Sequence, residues 1–534
     1  MKRLLIAFAS AAALWTTACG GGGSNVQPPP PTGKYSAASL NGTYAFVTSG
    51  EVIVNAPTGP TETPLARVGS FMADGHGNIT GGIEDVNSAG QANPALPITG
   101  GSYTVNADGR GTVTLNVLSN GTTSPVTLGI VLTSVKDGFL IDETSNNNQL
   151  STGSGNFILQ QTTPFALSEI AGPYVFDFAG RDTGGNPESF VGEFTVDGTT
   201  GAIPTGSSFF DDNDFGTLSS GPMMTPGAVF QDSSQAAAFT SFGRGIAIVD
   251  NQNFVFYIVN PNQVRFQSTN NGMISGDAFA QTSTVPTSVG SFNGSFAFVL
   301  SGSSTNGGLT RVGRFTANGA TVSNVMADVD DAGTQRPSNI QSNGTVTFDA
   351  ANPGRGHITF SDPNFPFTFV FYLSSSNSGV VQDVTETAPN SGFGIVIADG
   401  SLAAQSAGPF TSSNITGTYA MNWSGIVTAG GTFPIQDEED LLAQTTITNL
   451  ALSGTADLFQ FTTGTLRTGL GVGGSIAING DGTSADGHRS GLGVNLTGAN
   501  LITFVIYFVN PQTAFFAVSS GSTHLNVGVL KAQQ

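Results

Sequence analysis

The residues best equipped for chemistry are short acidic runs that recur far apart in the chain: Glu84-Asp85-Val86-Asn87, Asp211-Asp212-Asn213-Asp214 and Asp328-Val329-Asp330-Asp331. Aligned as Asp-x-Asn or Asp-x-Asp, they set Asp85 with Asn87, Asp212 with Asp214 and Asp328 with Asp330. Residues two apart share one face of a strand. Paired oxygens on such a face suit a hard cation, and calcium is the metal this pattern predicts. No bidentate Glu stands at the spacing an EF-hand loop requires. The competing reading is that these side chains cap hairpin backbone or pair with recurring arginines, and turn-forming Asp is the commoner use. Calcium aside, no cofactor is expected.

The arginines are Arg110, Arg244 and Arg355, each in Gly-Arg-Gly, with a looser Gly487-His488-Arg489 near the end. Only 10% of residues are charged, so repeated arginines are not there for solubility. Flanking glycines let the backbone turn sharply and clear room for the side chain. A structural role is expected, either covering a barrel end near Tyr44, Tyr174 or Phe296 or pairing with the repeated Asp. A ligand-binding role would require the same arginines to face an open cavity. Enzyme signatures are missing: there is no Gly-x-Ser-x-Gly elbow, no His-Glu-x-x-His, no phosphate loop and no dinucleotide fingerprint. His76, His357, His488 and His524 share no repeated position and no metal-ligand spacing. The chain is therefore expected not to be an enzyme, with no catalytic residue assigned.

What positions these groups is a unit repeated along the chain. "LNGTYAFVTSG" from Leu40 returns as "IAGPYVFDFAG", "FNGSFAFVLSG" and "ITGTYAMNWSG", anchored by Gly42 with Tyr44, Gly172 with Tyr174, Gly294 with Phe296 and Gly417 with Tyr419. Second strands read "RVGSFMADG", "FVGEFTVDG" and "RVGRFTANG", each ending in the Asp-Gly or Asn-Gly of a tight hairpin, and unit four shows no clear copy. Late strands correspond as "VTLGIVLTS", "FVFYIVNPN", "FVFYLSSSN" and "FVIYFVNPQ". Unit four also carries an extra acidic stretch from Asp437 to Asp440. About eight short strands per unit, joined by Gly, Asn and Asp turns, predict an all-β chain of antiparallel meanders. Closing each meander into an eight-stranded up-and-down barrel removes two open edges and an exposed apolar face. A β-sandwich for each unit is the alternative.

The opening Gly-x-aromatic strand resembles the Gly-x-Trp start of the calycins, the barrel superfamily of lipocalins and avidins. That resemblance implies an aromatic plug at one barrel end, often covered by an arginine, with Tyr or Phe here in place of Trp. More broadly, the "GTYAF" and "DGRG" phrases resemble those of repeat-containing bacterial lipoproteins of unknown function, over nearly the whole mature chain.

The leader supports an envelope address. Lys2 and Arg3, an apolar run from Leu4 to Leu14 and then Thr16, Thr17, Ala18 and Cys19 have the layout of a bacterial secretory signal. Cys19, the only cysteine, resembles the lipid acceptor of a lipoprotein signal, although Thr16 stands where that pattern favours Leu; an ordinary cleaved leader is the alternative. Gly20 after the cysteine resembles an outer-membrane destination in a Gram-negative cell, facing the periplasm or the outside. The expected organisation is a signal peptide at 1–18, a lipidated Cys and Gly/Pro tether at 19–35, and units at 36–162, 163–284, 285–407 and 408–534.

With a single cysteine there is no internal disulfide, so an exported chain must stand on core burial. Net charge is -20, and removal of Lys2 and Arg3 with the leader takes it to -22, which makes nucleic acid a poor partner. The function these features predict is a non-enzymatic cell-envelope lipoprotein, membrane-bound through its lipid. Its repeated β scaffold would serve adhesion or the binding of envelope carbohydrate or protein. The alternatives are a carrier with a small apolar ligand in each barrel and, last, a secreted polysaccharide hydrolase.

Overall fold

The computed structural model describes residues 34–534 except 57–58, 147–148, 271, 306, 332–333, 363–366, 386–394, 429–435, 461–464, 479–485, 499–500 and 519–523. The leader, Cys19 and most of the tether lie outside the described residues. The chain is all-β, with four antiparallel units in tandem. Unit one runs from strand Asn41–Ala56 to strand Ser154–Leu159, which pair and close its barrel. Unit three closes through Asn293–Ser304 against Val396–Ala404, and unit four through Gly417–Thr428 against His524–Ala532. Unit two, Gly172–Arg181 to Met273–Ala280, departs from the expected closed barrel. Its third strand is split into Ala202–Ile203 and Ser208–Asp214, and its fourth into Thr217–Pro222 and Gly227–Phe230, so the hydrogen-bonded ring is interrupted. Unit four does have a second strand, Gln436–Thr448, where none was legible.

The repeated phrase now has a physical account. Gly42, Gly172, Gly294 and Gly417 hold φ of +132°, +107°, +125° and +125°, which side chains with a Cβ rarely adopt. The aromatic two residues on enters the barrel: the Tyr44 hydroxyl donates to Val135 O at 3.0 Å, Tyr174 to Pro261 O at 2.7 Å, and Tyr419 to Pro511 O. Each hydroxyl thus reaches a carbonyl in the turn after the sixth strand. Phe296 has no hydroxyl and instead stacks on Phe292, with centroids 4.7 Å apart. The next inward ring lies over a cross-strand glycine. A Cβ on Gly69, Gly192 or Gly313 would fall within 2.7, 2.6 or 2.4 Å of Phe46, Phe176 or Phe298, respectively. In unit four the pair becomes Met421 with Ala443, which masks the motif.

The interiors are filled with side chains. Unit two alone packs Phe176, Phe178, Phe190, Phe194, Phe254 and Phe266 into one cluster. Late strands such as Phe254-Val255-Phe256-Tyr257-Ile258 are buried on both faces. One face lines the barrel, and the other meets the preceding unit, Val255 and Tyr257 packing on Val68 and Ile83 of unit one. The same contact joins Val370 and Tyr372 to Val175 and Val191, and Val505 and Tyr507 to Val299 and Val312. It appears a fourth time between Val131, Phe139 and Ile141 of unit one and the core of unit four. The four units therefore close into a ring.

Candidate functional site

The repeated acids and arginines meet at the seams of this ring. In units one to four, Asp85, Asp211, Asp328 and Asp457 sit opposite Val68, Val191, Val312 and Leu442 of the second strand, on the outer face. Each receives the arginine of the next unit. Arg244 donates to Asp85 through Nη2 at 2.7 Å and Nε at 2.8 Å, Arg355 to Asp211 at the same distances, and Arg489 to Asp328 likewise. A tyrosine directly across the strand pair from each arginine completes the group. Tyr257 donates to Asp85 at 2.6 Å, Tyr372 to Asp211 at 2.5 Å and Tyr507 to Asp328 at 2.5 Å.

Bidentate, charge-assisted bonds of this kind are among the stronger polar contacts in proteins. Burial opposes charge on Arg244, Arg355 and Arg489, but the hydrogen bonds and charge of their aspartates outweigh it and hold each guanidinium above its ordinary range. Burial, then the neighbouring carboxylate, pushes Tyr257, Tyr372 and Tyr507 well above the ordinary tyrosine value, so each stays a donor.

The fourth seam closes the ring from unit four back to unit one. Arg110 Nη2 pairs with Asp457, but the residue across from Arg110 is Val131, with no hydroxyl, and Arg110 Nε is buried without a hydrogen-bond partner among the described residues. Glu143 lies nearby; burial, then Asp457, pushes it up to about 8. Other contacts supplement the pair: Thr152 Oγ1 to Asp440 at 2.6 Å, Ser154 Oγ to Asn422 at 2.9 Å, and Lys531 Nζ to Asp137 at 2.7 Å.

A glutamine after the last strand of each unit docks on its neighbour. Gln160, Gln281, Gln405 and Gln533 donate through Nε2 to the carbonyls of Ile258, Leu373, Phe508 and Leu132, at 2.5, 3.1, 2.7 and 2.9 Å. The following amides of Gln161, Thr282, Ser406 and Gln534 reach Val259, Ser374, Val509 and Thr133 at 2.9, 2.8, 2.8 and 2.8 Å. Tyr35, the last residue of the expected tether, donates to Gln534 O at 2.9 Å on the same seam.

These placements revise the candidate residues. Asp85 and Arg110 lie in one unit but do not pair, since each reaches across a different seam. Arg110, Arg244 and Arg355 do not cover barrel ends. Asp85 and Asn87 share a face yet serve different partners, Asn87 Nδ2 donating to Ser268 O at 3.2 Å and Gly272 O at 3.0 Å of unit two. In unit two the alignment slips by one residue, because Asp211 and Asn213 occupy the seam positions. Asn213 Nδ2 donates to Val396 O at 2.7 Å.

Asp212 lies opposite Phe190 and faces the barrel interior, where burial pushes it up to about 8, while Asp214 pairs across the hairpin with Thr217. Asp330 is buried at the third seam. Among the described residues, no group of three or more His, Cys, Asp or Glu is arranged to hold a metal ion. Sequence reasoning did not single out Asp211, Asp457, the three tyrosines or the four glutamines. The glutamines were findable, since each stands just past the last strand of its unit.

Open space lies between units among the described residues. A cavity of about 380 Å³ draws its lining from all four units and holds Asp137, Asp177, Asp277, Asp399 and Lys531. A groove of about 560 Å³ runs between units two and three.

The chain matches no protein-family model and no curated protein. Among solved structures, a putative AttH from Nitrosomonas europaea aligns at 10% identity and TM-score 0.18, over 48% of this chain and 96% of its own. Transferrin binding protein B from Neisseria meningitidis serogroup B aligns at 10% identity and TM-score 0.19, over 75% of this chain and 85% of its own. The Haemophilus parasuis protein of that name gives 11% and 0.17, over 74% and 82%. Superpositions this loose do not bear on ligand or partner.

Proposed function

We propose that the chain is a non-enzymatic, lipid-anchored scaffold of a Gram-negative outer membrane, whose ring of barrels presents a fixed surface for binding envelope glycan or protein. The observation that carries this reading is that the repeated Asp, Arg and Tyr groups are used in joining one unit to the next. Repetition thus serves architecture, and the recurrent carboxylates are held by arginines instead of flanking a cleft as glycoside hydrolysis needs. Tyr35 ties the start of the described chain to the closing seam, so a lipid on Cys19 would suspend the ring from that point through a Gly/Pro tether. Interiors filled with phenylalanine weigh against the apolar-carrier alternative.

Two arms test this reading. Metabolic labelling with a palmitate analogue should mark the wild-type chain in outer-membrane fractions and fail to mark Cys19→Ser. The complete mature chain should bind saturably on an array of envelope polysaccharides, peptidoglycan fragments and surface proteins. An unlabelled wild type would remove the anchor, and a ring that binds nothing on the array would remove the scaffold reading.

A further inference from the structure

Among the described residues the interrupted barrel leaves Thr217–Pro222 as an edge strand, where unit one leaves only the two-residue Ser145–Asn146. In unit one the fourth strand, Gln91–Val105, pairs with both neighbours and runs over the seam, where the Ala95 amide donates to Asp85 at 2.8 Å. Ala95 and the helix Ala236–Phe242 then pack into the apolar cluster that fills that seam. In unit two the corresponding strand breaks at Pro222, and among the described residues Thr217–Pro222 pairs on one side only, with Ser208–Asp214. The space filled at the first seam is the 560 Å³ groove at the second, lined by Leu218, Ser219 and Ser220 on one wall and His357, Thr368 and Thr385 on the other.

The orientation of the free edge follows from its turn. Phe215 and Gly216 have φ of +47° and +86° and form a two-residue hairpin closed by Asp214 and Thr217. The closing pair is hydrogen-bonded, so alternate residues, Leu218 and Ser220, turn their N–H and C=O groups away from the hairpin partner. Thr217–Pro222 carries no charge to blunt that edge. Exposed apolar side chains gather around it, Leu218 within it (38% exposed), Phe215 just before it (53%) and Met224 just after it (82%).

We infer that this groove takes an extended segment of a partner polypeptide, which adds a strand to Thr217–Pro222 and rests an apolar side chain against Leu218. A row of alternating amides and carbonyls at two-residue spacing is matched by another backbone, which a glycan does not supply. Arg355 shares the groove wall and neutralises Asp211, and Asp212 keeps its proton up to about 8, so backbone pairing and apolar contact with Leu218 select the segment. Six residues of strand span about 20 Å, and the groove volume falls in the range of ordinary ligand sites. The inference rests on the binding-scaffold reading and names the partner class for one face of it.

The test uses the complete mature chain and a phage-displayed library of random dodecapeptides. Enriched peptides should slow hydrogen exchange across Thr217–Pro222 and should bind about tenfold more weakly to Leu218→Lys. Ser220→Pro, which removes one outward amide, should weaken them similarly, while Leu501→Lys on unit four should not; thermal melts confirm that each variant folds. Enriched peptides that ignore both groove variants, an empty selection, or protection of Thr217–Pro222 by self-association alone would overturn the inference. Retained array binding by Leu218→Lys alongside failed peptide selection would remove this inference and leave the scaffold reading standing.

Discussion

At the third seam Arg489 meets Asp328 through two parallel bonds and Tyr507 adds a third, whereas at the closing seam Arg110 meets Asp457 beside Val131, with Glu143 as a second acid. Three seams join units adjacent in the chain, and at the first two the arginine also holds an acid of its own unit, Asp232 or Asp349. The fourth joins the two ends of the folded chain and spreads its hold over Thr152, Ser154, Lys531 and Gln533. The difference teaches where the ring should open first. A seam between covalent neighbours reforms at high effective concentration, while the closing seam must be found across the whole assembly.

The largest effect should come from removing a buried carboxylate that a seam arginine and tyrosine share. Asp328→Ala deletes two bonds from Arg489 and one from Tyr507 and should cost about 3–5 kcal/mol, read as a fall in urea midpoint. Asp457→Ala should cost less, because Glu143 is at hand to take up Arg110. Equal losses at both seams would erase the comparison.

Removing only the tyrosine hydroxyl probes the element the closing seam lacks. Tyr507→Phe deletes one hydrogen bond to a charged group and should cost about 1.5–3 kcal/mol, with thermal melts as the measure. A neutral result would mean that the hydroxyl does not separate the two kinds of seam.

The pH dependence sharpens the contrast further. Glu143, at about 8 in the folded seam against an ordinary 4.5, keeps a proton there that the unfolded chain releases. Stability should therefore fall as pH rises from about 4.5 to about 8 and change little outside that window on this group's account. Glu143→Gln should flatten that part of the profile, followed by melting temperature against pH. An unchanged slope would remove Glu143 from the account.

The smallest effect belongs to the glutamine clasp. Gln533→Ala loses amide bonds to Leu132 O and Asp108 O and should cost about 1 kcal/mol. It should speed hydrogen exchange in His524–Ala532 more than in any strand of units two or three.

Much of the barrel was legible because local rules agree with one another. Gly42 needs positive φ, Tyr44 follows inward, and Asp-Gly or Asn-Gly turns space the strands. Unit four's second strand was hidden because Ala443 and Met421 replace the glycine and phenylalanine that mark it elsewhere. Unit two's interruption did carry a signal, the Gly221-Pro222 pair that ends Thr217–Pro222, which the count of short strands passed over. In the run Asp211 to Asp214 every register offers a plausible pair, and only the cross-strand partner Val191 singles out Asp211.

The arginine partners lie 144 to 161 residues away at three seams, beyond any local signal. One clue was present: an unbroken apolar run such as Phe254 to Val259 belongs to a strand covered on both faces, and a lone barrel would leave one of them bare.

The ring itself is tested most directly by zero-length coupling of amines to carboxylates with a carbodiimide. Beyond Lys2 the chain holds only Lys34, Lys136 and Lys531 as lysines, and Lys531 Nζ lies 2.7 Å from Asp137 Oδ2 across the closing seam. Peptide mapping of the monomer should recover a Lys531–Asp137 cross-link, and Asp137→Asn should abolish it. Lys531 coupled solely to acids of unit four, or to Asp137 of a second molecule, would contradict a closed ring.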